Sequence, residues 1–241
     1  MDVGKLFRRA AIFGASGGIG GALASALADR GIEVWAGSRS GEASDRRYRS
    51  FRFDLTDESM IAAAAQAMAE SPPELVVVAS GVLTLPDGTG PERSFRHLDA
   101  ATMEEVFRLN TLGPALIAKH MLPLLPREGR SVFAVLSARI GSIGDNRLGG
   151  WHSYRASKAA LNMLLRNFAI ELARTHPQAV VTGLHPGTVD TALSQPFQAN
   201  LSKGQLIAPR DAAQNLLAVI DRLTPDDSGK VFDWKGEEVP A

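Results

Sequence analysis

Tyr154 and Lys158 stand four residues apart in Tyr154-Arg155-Ala156-Ser157-Lys158. In a helix both side chains leave one face, so the ammonium lies near the phenol. A free phenol loses its proton near pH ~10, and a neighbouring cation stabilises the phenolate. The tyrosine then exchanges a proton with a substrate oxygen nearer neutral pH. A second chemical signal is Gly14-Ala15-Ser16-Gly17-Gly18-Ile19-Gly20. Its glycines let the backbone turn tightly against a pyrophosphate, and a following helix N-terminus offers free N–H groups and partial positive charge. The spacing is GxxxGxG, distinct from the GxGxxG fingerprint. A third is Asn110, in the apolar run Val106-Phe107-Arg108-Leu109-Asn110-Thr111-Leu112 before Gly113-Pro114. The amide and the proline either interrupt helical hydrogen bonding so that a water inserts, or mark a helix boundary.

The elements that must position these residues alternate along the chain. Apolar runs of strand length occupy 10–14, 33–37, 51–55, 75–80, 131–138 and 179–185, and a last strand is expected over 230–234. Most are nearly continuous in hydrophobicity, as suits strands buried on both faces of a parallel sheet. Helical patterns lie between them at 19–30, 57–70, 100–122 and 153–175, with another beginning near Pro209. Strand and helix taking turns predict an α/β fold, a doubly wound parallel sheet of about seven strands with helices on both faces. No repeat, low-complexity block or linker divides the chain, so residues 1–241 are read as one domain. The least regular stretches are 85–96 and 191–204; the second follows a strand's C-terminal end, where such folds bind ligands.

Composition narrows the function classes. Lys plus Arg and Asp plus Glu both number 26, leaving no global field to attract nucleic acid or an anionic membrane. The expected partner is a small molecule. With no cysteine, thiolate catalysis, disulfides and cysteine metal ligands are excluded. Arg8 and Arg9 precede an apolar run too short for a signal peptide, and no segment approaches the ~18 apolar residues of a membrane helix. A soluble, cytoplasmic protein is expected. The histidines, His97, His120, His152, His176 and His185, lack ligand spacing, so surface or satisfied core roles are expected and no metal site. His152 is set apart only by preceding Tyr154 by two residues.

The GxxxGxG turn and the YxxxK pentad together resemble the short-chain dehydrogenase/reductase family, across essentially the whole chain. Further landmarks fall in order: Asp54-Leu55 after the third strand, Asn110, and Pro186-Gly187-Thr188-Val189-Asp190-Thr191 after the sixth. The run from Ser137 through Asp145-Asn146-Arg147 and Gly149-Gly150-Trp151 to the pentad is similar to the sniffer-type carbonyl reductase and C-factor branch. The resemblance implies a Rossmann fold and a reaction in which hydride leaves the nicotinamide while Tyr154 protonates the developing alkoxide. It implies that Lys158 holds the nicotinamide ribose hydroxyls and that Asn110 holds a proton-relay water. Gly14, Ser16, Gly18, Ile19 and Gly20 would line the pyrophosphate, Asp54 and Leu55 the adenine, and Ser80 or Gly81 the adenosine ribose. Pro186, Gly187, Val189 and Thr191 would surround the nicotinamide. It also implies a homodimer or homotetramer paired through the Asn110 and Tyr154 helices.

Two positions refine this expectation. Ser38-Arg39 follows the second strand, where an acidic residue would accept the ribose 2'-hydroxyl and repel a 2'-phosphate. Ser38 does not repel, and Arg39 forms charge-assisted hydrogen bonds to that phosphate, so NADPH is expected over NADH. Many relatives end the fifth strand with two serines, the second catalytic; here the pair is Ser137-Ala138. Ser137 is favoured to bind the substrate oxygen through a one-residue shift or bulge, with Ser142 next, and Tyr154 acting alone as the alternative. The expected activity is NADPH-dependent hydride transfer with a small carbonyl or alcohol. Its rival is a catalytically weak NADP-binding protein, of the C-factor type, that signals or senses redox state.

Overall fold

The computed structural model describes residues 6–42, 45–200 and 204–241. Its elements in order are β1 (Arg9–Phe13), α1 (Gly18–Asp29), β2 (Glu33–Ser38), β3 (Tyr48–Arg52), α2 (Glu58–Met68) and β4 (Leu75–Val78). There follow α3 (Ala100–Phe107), α4 (Gly113–Met121), β5 (Ser131–Leu136), α5 (His152–Leu172) and β6 (Ala179–His185). The chain ends with β7 (Thr188–Val189), β8 (Leu206–Ile207), α6 (Pro209–Arg222) and β9 (Val231–Asp233). Seven strands form one parallel sheet in the order β3-β2-β1-β4-β5-β6-β9, the doubly wound Rossmann arrangement expected. No helix among the described residues is long and apolar enough to cross a membrane.

Each face of the sheet carries its own core because successive strand residues point to opposite sides. Ile12, Val77 and Ala134 pack against α1 and α6 through Leu23, Leu27, Leu216 and Ile220. Phe13, Phe133 and Val181 pack against α2, α4 and α5 through Ile61, Met68, Ile117, Leu161 and Leu165. Full burial of one such side chain stabilises the fold by about 1.5–3 kcal/mol, so strands buried on both faces are firmly fixed in register.

Three expectations shift. The third strand runs over Tyr48–Arg52 rather than 51–55. The 100–122 helix is broken into α3 and α4 by a π-helical turn over Arg108–Leu112. Pro114 has no N–H for the Asn110 carbonyl, and the ladder re-registers as the Gly113 N–H donates to the Arg108 carbonyl. Finally, the irregular 191–204 stretch is framed by the short parallel pair β7 and β8; residues 201–203 of that stretch lie outside the described residues.

Candidate active site

The C-terminal ends of the strands open into a crevice of about 1170 Å³. At its floor the β1–α1 turn folds back on the sheet. The Gly14 and Ala15 N–H groups donate to the Gly37 carbonyl at 3.0 and 2.8 Å. Gly14 has φ of +100°, and a Cβ there would lie 2.5 Å from Ser80 Oγ, so both conformation and space require glycine. The α1 N-cap is Gly17, which supplies no side-chain acceptor, and the helix N-terminus keeps its capacity to bind an anion. Gly14, Ser16, Gly18 and Ile19 line the crevice. Gly20 is not among the lining residues; a Cβ there would sit 2.2 Å from the Gly14 carbonyl oxygen, so its smallness serves packing of helix against turn.

The wall beside this turn holds Ser38, Arg39, Asp54, Leu55, Ser80 and Gly81. Ser38 is buried, its Oγ accepting from the Gly41 N–H at 3.0 Å, which fixes the turn that projects Arg39 outward. Asp54 accepts from the Thr56 N–H and hydroxyl at 2.8 and 2.7 Å; these bonds hold its carboxyl below the usual range.

The opposite wall is the start of α5. Its N-terminus is anchored by Glu92, a buried carboxylate of the irregular 85–96 stretch, which accepts from the Ser153 N–H at 3.1 Å and from the Ser153 hydroxyl. The acidic group satisfies donors and charge at the helix start. Trp151, just before α5, takes the left-handed conformation, φ 52°, after Gly149 and Gly150 at 63° and 66°. Its ring lies between Tyr154 and Phe197, with centroids 6.3 and 5.0 Å away. A non-glycine residue there costs on the order of 1–3 kcal/mol, and the aromatic wall it forms faces the crevice.

Tyr154 and Lys158 both line the crevice, as their spacing predicts. Lys158 Nζ donates to the Leu136 carbonyl at 2.8 Å and sits 5.9 Å from the Tyr154 ring centroid. Burial pushes the lysine down to about 8. Burial also pushes the phenol up to about 12, opposite to the lowering expected from the ammonium, which is bonded to a carbonyl at the strand end. Tyr154 is therefore held in its protonated form.

Asn110 is fully buried and lies behind the lining. Its amide clamps the Val82 backbone, accepting from the N–H at 2.8 Å and donating to the carbonyl at 2.9 Å. A Cβ on Gly81 would be 3.1 Å from Asn110 Oδ1, a tight approach that the glycine relieves, and 3.6 Å from Lys158 Nζ, an ordinary contact. Pro186, Gly187, Val189 and Thr191 line the far end. Gly187 has φ of +78°, which gives the chain its sharp turn after β6.

The two serine candidates separate. Ser137 is at the lining, but its hydroxyl donates to Asn162 Oδ1 at 2.6 Å. Ser142 lies outside the lining, its Oγ accepting from the Asp145 N–H at 3.0 Å. Ala138 lines the crevice without a hydroxyl. His185, grouped in the sequence with surface or satisfied core histidines, is neither: it lines the crevice and its Nδ1 is buried without a partner. No group of three or more metal-ligating side chains is found among the described residues. Reasoning from sequence missed Trp151, Glu92 and His185 as parts of this site. Their signals were a tryptophan after Gly-Gly, an acid in a Gly- and Pro-rich loop, and a histidine ending a strand before Pro-Gly.

The family model described as short chain dehydrogenase matches residues 8–202. The 1-hydroxy-2-glutathionyl-2-methyl-3-butene dehydrogenase of Rhodococcus sp. (strain AD45) is 34% identical over 225 residues, 91% of this chain and 93% of that one. The C-signal protein of Myxococcus xanthus is 40% identical over 144 residues, 59% of this chain and 81% of that one. In structure, the NADPH-bound carbonyl reductase from chicken fatty liver superposes with a TM-score of 0.82 at 24% identity, over 97% of this chain and 94% of that one, a likeness of fold.

Proposed function

As the chain belongs to the short-chain dehydrogenase family, we propose that it is an NADPH-dependent oxidoreductase exchanging a hydride with a small carbonyl or alcohol. The observation that carries this reading is that one crevice joins Tyr154 and Lys158 to a glycine turn whose shape a Cβ would destroy. The residues fit the cofactor. Gly14, Ser16, Gly18 and Ile19 with the uncapped α1 N-terminus suit the pyrophosphate, Asp54 and Leu55 the adenine, and Ser80 and Gly81 the adenosine ribose. Arg39 suits a 2'-phosphate, and Pro186, Gly187, Val189 and Thr191 suit the nicotinamide end. NADPH, when bound, supplies the hydride. Tyr154, kept protonated by burial, gives its proton to the substrate oxygen; Lys158, fixed at the Leu136 carbonyl, holds ribose hydroxyls and helps restore that proton. Asn110 fixes the 80–82 backbone beside Lys158 and, through the broken helix, suits the role of holding a relay water. Ser137 retains at most an accepting role toward substrate while its proton is given to Asn162.

The reading extends to a cytoplasmic homodimer or homotetramer. Leu112, Met163 and Ile170, about half exposed on the surface of the α4 and α5 region, support a face that a second copy covers. The alternative, an NADP-binding protein that signals or senses redox state with little turnover, is favoured by the likeness to C-signal and by Ala138. The test is NADPH oxidation across a broad panel of aldehydes, ketones and diketones, with Tyr154→Phe as control. The expected result is turnover that falls roughly 10²-fold or more in the variant with NADPH binding retained. Tight NADPH binding with no turnover on any carbonyl supports the alternative.

A further inference from the structure

The oxidoreductase reading calls for a donor that holds the substrate oxygen while Tyr154 delivers its proton. The segment that follows β5 offers none: Ala138 has no hydroxyl, Ser137 gives its proton to Asn162, and Ser142 lies outside the lining. His185 lines the same crevice as Tyr154 and Lys158. It ends β6, one residue past Leu184, whose partner across the parallel ladder is Leu136, the residue that anchors Lys158. Neighbouring strands run about 4.8 Å apart, so the imidazole springs from the sheet one strand away from the lysine anchor. Side-chain alternation from Val181 puts it on the face that carries α5.

The ring lines the crevice and makes no hydrogen bond among the described residues, while its Nδ1 is shut inside the protein. The charged groups facing it are engaged elsewhere. Asp233 Oδ1 accepts from the Lys235 and Glu237 N–H groups at 2.9 and 3.0 Å, and Arg139 pairs with Asp145 at 2.6 Å. Burial pushes the imidazole down to about 4, so the ring is neutral at working pH and carries one proton. A stranded buried N–H is costlier and rarer than a stranded lone pair, so the proton belongs on Nε2, which presents an N–H to the crevice.

We propose that His185 Nε2–H is the hydrogen-bond donor to the substrate oxygen, taking the place of the absent serine hydroxyl. A neutral imidazole donor stabilises the negative charge that grows on that oxygen as hydride reaches the carbon, and keeps its own proton while Tyr154 supplies the one transferred. The inference rests on the oxidoreductase reading above.

The test compares the unsubstituted protein with His185→Leu, His185→Gln and the double variant His185→Leu/Ala138→Ser. Carbonyl reduction is measured at saturating NADPH, and NADPH binding is followed separately by fluorescence. His185→Leu is expected to lower kcat roughly 10²-fold with a smaller change in KM and unchanged NADPH affinity. His185→Gln, whose amide reaches about as far as Nε2, retains most of the rate, and Ala138→Ser returns at least about tenfold to the leucine variant. A kcat within about twofold of the parent in His185→Leu overturns the inference. So does a loss shared by Leu and Gln without rescue by Ala138→Ser, or one matched by lost NADPH affinity. Absence of turnover in the unsubstituted protein defeats the oxidoreductase reading, and this inference with it.

Discussion

At the scale of single residues, burial sets the protonation states of the crevice in opposite directions. The phenol of Tyr154 is pushed up to about 12 and the ammonium of Lys158 down to about 8, because each loses more by shedding its charged form's hydration than the site returns. Tyr154 stays protonated across the neutral range, and Lys158, charged below about pH 8, loses its proton above it. The kcat/KM for carbonyl reduction should therefore fall as pH rises through about 8, and Lys158→Met should abolish that limb together with most of the rate. A profile flat from pH 7 to 9 at ~0.5-unit steps would remove Lys158 from proton supply. Arg39 acts on a different atom. Its exposed guanidinium lines the part of the crevice proposed for the adenosine, so Arg39→Ala should weaken NADPH roughly tenfold and leave NADH nearly unchanged. Titration of both nucleotides checks it, and equal losses would make the arginine a structural residue.

At the scale of elements, the site depends on how tightly turns press against helices. Gly20 never reaches the crevice, yet a Cβ there would lie 2.2 Å from the Gly14 carbonyl oxygen, a backbone atom that cannot step aside. Gly20→Ala should cost about 1–3 kcal/mol of stability and reduce NADPH affinity by displacing the turn, read by thermal melting with and without nucleotide. A melt unchanged in both conditions would show the turn to be more yielding than its geometry implies. The same pressing explains what the sequence made legible. The strand at Ala179–His185 was readable because six of its seven residues are buried, which leaves a largely apolar run. Tyr48–Arg52 was not, because an edge strand with exposed Arg49, Ser50 and Arg52 carries little hydrophobic signal. The two-residue strands of the β7–β8 pair are too short to leave a period. In the site, Tyr154, Lys158 and the glycine turn were readable from local spacing. The engagement of Ser137 by Asn162, the left-handed Trp151 and the partnerless His185 arise from contacts between distant segments, which no local pattern encodes.

At the scale of the whole molecule, seven parallel strands end on one edge, and Tyr154, Lys158, His185 and the glycine turn meet in the crevice there. Glycine turn, lysine anchor and Pro-Gly turn come from β1, β5 and β6, so their mutual positions are set by strand register rather than by loops. Such a frame suits hydride transfer between two held partners, where geometry and a fixed proton donor do most of the protein's work. The alternative reading, a nucleotide-binding signalling protein, would keep the frame and dispense with the transfer. The most direct measurement is isotope tracing: NADPH deuterated at nicotinamide C4 is incubated with the best substrate of the carbonyl panel, or with the pooled panel, and alcohol products are sought by mass spectrometry. Deuterium is expected on the carbinol carbon of a product formed by the unsubstituted protein, with product falling roughly 10²-fold in Tyr154→Phe. Tight binding of the labelled nucleotide with no deuterated alcohol, or label transfer undiminished in Tyr154→Phe, would contradict it.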